Sequence, residues 1–142
     1  MSNASKLNIN KVLLAKCNKE KDFFDCWVGY LNFNLGLTNR EQKVLSAVLR
    51  NRHELSKTIT NTDVLDEVCL NVDNKNKIKD LLDMTLSQIG FVLIKLRDKK
   101  VLLPHYNLNN NRVDFYKVNP SIIPNYKEGE DFKFLILFRD VQ

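Results

Sequence analysis

At 142 residues the chain has room for one domain with a short extension at either end. A hydrophobic share of 44% is ordinary for a globular protein, so a packed core is expected. No run of about 18 apolar residues occurs, so no membrane-spanning helix is expected, and no signal peptide either. The net charge is +5, from 22 basic and 17 acidic side chains, and it is unevenly spread. Residues 1–21 carry five lysines against Glu20. Residues 58–73 hold Asp63, Asp66, Glu67 and Asp73 with no basic residue, while residues 74–100 carry seven basic side chains against three acidic ones. Such a balance suits contact with a polyanion through the basic segments, with the acidic stretch facing away.

Residues 1–21 read as a basic arm in which LNINKVLL can pair as a strand, because Leu7 and Ile9 alternate with polar neighbours. A core spans residues 22–124. It opens with an amphipathic helix, since Phe23, Phe24, Trp27, Tyr30 and Leu31 recur at three and four residues. Asp22 is its candidate N-cap and Gly36 its stop. Thr38 and Glu41 have capping-box spacing and start a second helix, which buries Val44, Leu45, Val48 and Leu49 and ends near Arg52 or His53. A short helix capped by Thr60 or Thr62 points Val64, Leu65 and Val68 inward. Asn74 to Asp83 forms a fourth helix with Ile78, Leu81 and Leu82 on one side, and Asp83-Met84 makes a turn.

Thr85 and Gln88 repeat the capping-box spacing and open a fifth helix reaching about Lys100. On its wheel Leu86, Ile89, Leu93 and Leu96 form the core side, and Ser87, Gln88, Phe91, Ile94, Lys95 and Asp98 the opposite one. Residues 101–106 and 113–118 should pair as a hairpin, because the intervening Asn-rich run tolerates the left-handed backbone of tight turns. Residues 125–142 form an apolar tail. Phe132, Phe134, Ile136 and Phe138 alternate as a strand that must pair with the N-terminal strand, the hairpin or another subunit. It should pack on the aromatic stripe of the first helix, within one chain or across a two-fold interface, with exchange between subunits slightly preferred.

The span from about Leu37 to Val118, above all IKDLLDMTLSQIGFVLIKLRDKKVLLP, resembles the winged helix-turn-helix domains of bacterial and phage proteins. That resemblance implies a mainly α fold with a small β-sheet (α+β), with the aromatic helix and the terminal strands as additions. It implies double-stranded DNA as partner and transcriptional or replication control as role. Carried over by position, it implicates Ser87, Gln88, Phe91, Lys95 and Arg112 in DNA or partner binding. The helix at residues 62–70 and the apolar Phe91 and Ile94 depart from the pattern. They leave open an alternative, a phage or bacterial structural or adaptor protein that uses the same face for protein assembly, as a homo-oligomer or with another protein. FFDCWVGYLNFNLGLTNREQKVLSAVL also resembles small tailed-phage proteins, which implies a role in the phage particle or its assembly, in the host cytoplasm or the virion; otherwise a cytoplasmic location is expected.

No enzyme is expected. Gly29, Gly36, Gly90 and Gly129 are scattered and form no phosphate loop, and no Ser or Cys stands in a recognisable motif with a histidine. His53 and His105 lack paired ligands, so no metal or other cofactor is expected. Cys17, Cys26 and Cys69 are odd in number and are read as buried reduced thiols, which imply a reducing compartment.

Overall fold

The structure is a computed structural model that describes the backbone of residues 11–17, 20–127 and 132–138 and the side chains of residues 23–127. Among these residues the order is β1 (Lys11–Cys17), α1 (Glu20–Leu35), α2 (Asn39–Ser56), α3 (Thr62–Val68), α4 (Val72–Leu82), α5 (Leu86–Asp98), β2 (Leu102–Tyr106), β3 (Val113–Val118) and β4 (Phe132–Phe138). The fold is α+β and mainly helical, with two separate two-stranded antiparallel sheets.

Side chains set the helix starts by accepting backbone N–H groups that have no partner within the helix. Both expected capping boxes form, Thr38 with Glu41 and Thr85 with Gln88. Other boundaries differ from expectation. Helix α1 begins at Glu20, so Asp22 lies in its first turn and is not its cap. Helix α2 continues to Ser56. Asn61, not Thr60 or Thr62, caps α3, and Asn71 starts α4 before Asn74. In the two last cases an Asn side chain accepts the N–H three residues on, a role that it fills as well as Ser or Thr. Gly36 ends α1 with φ +64°, and Asp83 makes the α4–α5 turn with φ 54°.

The core lies where one face each of α1, α2, α4 and α5 meets the base of the β2–β3 hairpin. Phe24, Val28, Val44, Leu45, Val48, Ile78, Ile89, Leu96, Val101 and Val118 are all but fully buried. Each large apolar side chain so buried is worth roughly 1.5–3 kcal/mol. Trp27 Nε1 donates to Ile122 O at 2.7 Å, tying α1 to the 3-10 turn Pro120–Ile122. Two buried polar contacts join the middle helices. Asn51 donates to Asn74 at 2.9 Å, linking α2 to α4. Arg52 meets Asp66 at 2.8 Å, linking α2 to α3.

The inward faces need three corrections. Val64 on α3 and Leu81 on α4 are exposed. Leu86 is 45% exposed because it sits at the edge of the α5 apolar arc, in the helix's first position, and Val92 completes the buried face instead. The cysteines also divide. Cys69 is free and buried. Cys26 is disulfide-bonded, not reduced. An odd cysteine count never excluded one pair, because sequence spacing does not report proximity in a fold.

Strand β4 pairs antiparallel with β1, from Lys11↔Phe138 to Cys17↔Phe132. Both strands run beside α1 in the same chain. Leu7 and Ile9 of the expected arm lie outside the described residues, as do Gly129 and the side chains of Phe132, Phe134, Ile136 and Phe138. The β2–β3 pair forms as expected, with an irregularity between His105 and Tyr106.

Candidate functional site

Helix α5 is held from behind by Ile89, Val92, Leu93 and Leu96. The opposite residues, Ser87, Gln88, Phe91, Ile94, Lys95 and Asp98, are all exposed, as the wheel requires. This face is a ridge with a depression on either flank.

On one flank α5 meets the N-terminus of α2. Ser87, Gln88, Phe91 and Lys95 line a cleft of about 420 Å³, with Arg40 and Glu41 on its far wall. Four of the five residues singled out in the sequence therefore come together. Phe91 is 61% exposed, and Lys95 Nζ lies 5.3 Å from its ring centroid. Gln88 Oε1 accepts from Thr85 N at 2.9 Å to complete the capping box, which leaves its amide to donate outward. Burial would raise the pKa of Glu41. Hydrogen bonds from Lys99 and Thr38 and the charges of Lys99 and Lys95 outweigh that effect and hold the carboxyl below 4.5. Lys99 Nζ sits 2.6 Å from Glu41 Oε1 and 3.0 Å from Gly36 O, so it pins the end of α5 to the start of α2. The acid in this wall is thereby neutralised from within.

On the other flank α5 meets the hairpin across a groove of similar volume, about 420 Å³. Its apolar floor includes Leu70, Leu93 and Phe115, and its rim carries Glu67, Lys75, Arg97 and Asp114. Ile94, 46% exposed, overlooks it. The Arg97 guanidinium lies 4.2 Å over the Tyr116 ring, a stacking that immobilises the cation.

Arg112, the fifth residue, lines neither depression and stands exposed at the hairpin tip. The tip is held by Asn107 N donating to Arg112 O at 2.7 Å and by Asn111 N donating to Asn107 O at 2.9 Å. Asn111 takes φ 60°, the left-handed conformation that Asn tolerates. Sequence reasoning missed Arg40 and Arg97. Arg40 was findable, because the Thr38–Glu41 box already fixes the first turn of α2 and turns its second residue outward. Arg97 was not, because its partner Tyr116 is brought near only by the chain reversal through β2 and β3.

Other chemistry is sparse among the described residues. No group of three or more His, Cys, Asp or Glu side chains is placed to hold a metal ion. Burial pushes the Cys69 thiol up to about 11, so it stays protonated at neutral pH. No described helix is long and apolar enough to cross a membrane. Compared with family models, curated proteins and solved structures, the chain matches none.

Proposed function

We propose that the chain is a winged-helix module that binds double-stranded DNA, in transcriptional or replication control and as a dimer, with α5 as the reading helix and the β2–β3 hairpin as the wing. The observation that carries this reading is the outward face of α5. It is uncovered by any other described element, anchored by a completed cap at Thr85, and flanked by a hairpin whose tip exposes Arg112. Ser87 and the Gln88 amide can meet base edges, while Lys95 and Arg112 can meet phosphates. The test is an anisotropy titration of a labelled mixed-sequence duplex. Binding should weaken steeply as salt rises, because lysines displace counterions condensed on the phosphates. Absence of binding at micromolar protein and low salt would sink the reading.

A second reading, a phage or bacterial assembly adaptor that binds protein, is favoured by the hairpin-side groove. Its floor is apolar and its rim carries both charge signs, a composition that suits a protein surface better than a polyanion. Here Ile94→Ser should abolish association with a protein partner, or of the chain with itself, and leave DNA affinity unchanged. Light scattering and the duplex titration read the two effects separately.

A further inference from the structure

Phe91 is the residue that a duplex-reading helix explains least. A phenyl ring in a groove of stacked base pairs finds little beyond a thymine methyl. Its flat face is nonetheless open, in a cleft whose other charged members are Arg40, Lys95 and the internally paired Glu41. We infer that this cleft is a site for an unpaired nucleotide. The base stacks on Phe91, and its phosphate is held between Arg40 and Lys95. The inference rests on the reading that this face binds nucleic acid and names single strands as the class it takes.

Three features support that occupant over an apolar side chain of a protein. First, the charge is complementary. Arg40 and Lys95 stand at the cleft with no carboxylate within ion-pair distance of either among the described residues; Lys95 acts on Glu41 only through its charge, and Glu41 is occupied by Lys99 at 2.6 Å. Second, the cation and the ring are already neighbours, Lys95 Nζ lying 5.3 Å from the Phe91 centroid. A base stacking on the ring would displace the ammonium towards the phosphate of the same nucleotide, and stacking tolerates any base because every base has a π-face. Third, the Gln88 amide, whose oxygen the cap has used, still offers a donor to a base edge. The volume, about 420 Å³, falls in the range that small-ligand sites occupy.

The experiment compares a labelled oligothymidylate with a duplex of equal length, using the full chain and its Phe91→Ala, Phe91→Trp and Lys95→Gln variants. Phe91 is exposed, so its variants should fold, and circular dichroism checks that they do. Phe91→Ala should weaken oligothymidylate binding about tenfold and duplex binding less than twofold. Phe91→Trp should restore the single-strand affinity, and its added fluorescence should be quenched on binding. An abasic oligonucleotide of the same charge should bind no better to the wild type than oligothymidylate binds to Phe91→Ala. If the duplex binds and oligothymidylate does not, or if Phe91→Ala weakens both or neither, this inference falls and the duplex reading stands. If oligothymidylate binds in a Phe91-dependent way and the duplex does not, the duplex reading falls and this one stands. If neither binds, both fall.

Discussion

The two flanks of α5 share one helix, nearly one volume and a largely apolar lining, yet they differ in their balance of charge. Towards α2 the cleft sets Arg40 and Lys95 against a single carboxylate that Lys99 neutralises. Towards the hairpin the rim sets Lys75 and Arg97 against Glu67 and Asp114. Helix α5 itself is not the cause, since Phe91 and Ile94 are adjacent apolar residues on one ridge. The difference comes from what packs beside it. A completed capping box turns Arg40 outward on one side, whereas α3 brings an acid from the acidic stretch to the other. A surface is thus specified as much by the caps and ion pairs that orient neighbouring elements as by the helix that carries it.

The largest effect should come from removing the support of one flank only. Asp66 and Arg52 are both nearly buried and meet at 2.8 Å, and Arg52 Nε has no hydrogen-bond partner among the described residues. Asp66→Ala leaves a buried guanidinium without its counter-charge, a change that typically costs about 3–5 kcal/mol. Because α3 carries Glu67 and leads directly into Leu70, the hairpin-side groove should loosen with it, while the α2-side cleft keeps its capping box. Urea unfolding measures the loss, and hydrogen exchange should locate the early opening in α3. A loss below about 1 kcal/mol would mean that the pair does not hold that flank.

The same contrast shows what the sequence could and could not convey. The caps were legible because they are local. Thr38 with Glu41 and Thr85 with Gln88 are three residues apart and form as read. The outward face of α5 was legible because a helix has one period, and all six residues assigned to it are exposed. The pairing partner of β4 was left open among three choices, since nothing local to Phe132–Phe138 distinguishes β1 from β2–β3. The two flanks were illegible for a related reason. Arg40 shares a cleft with Phe91, and Arg97 reaches Tyr116, only through the packing of α2 and of the hairpin on α5. Cys26 was misread as reduced because its bond, too, depends on the fold. Leu86 and Val92 lie at the two edges of one apolar arc, so the wheel alone could not rank them.

A smaller effect tests the neutralised acid of the α2-side cleft. Glu41 has its pKa held below 4.5, chiefly by Lys99 against the opposing pull of burial. A group whose folded pKa is depressed stabilises the fold above its unfolded pKa, and the contribution is lost as pH falls through the folded value. Glu41→Gln keeps a capping-box acceptor but loses the charge, so it should cost roughly 1 kcal/mol at pH 7. The difference from wild type should stay level down to about pH 4.5 and shrink below it. Chemical denaturation at a series of pH values gives both curves. Parallel curves down to pH 3 would show that the Lys99 contact contributes nothing through charge.

The smallest effect reads the two flanks against each other directly. If nucleic acid lies along the α2-side cleft, Lys95 meets a phosphate there and Lys75, on the far rim, does not. Each phosphate contact contributes about one unit to the dependence of log affinity on log salt. Lys95→Gln should therefore lower that slope by about one, and Lys75→Gln should leave it unchanged. Both substitutions remove one positive charge from an exposed or half-buried helical position, so their effect on net charge is identical and cancels from the comparison. What remains is position. Anisotropy titrations at four or five salt concentrations resolve a slope difference of this size. Equal slopes for the two variants would mean that the field of the whole molecule attracts the polyanion, and that the contrast between the flanks has no part in binding it.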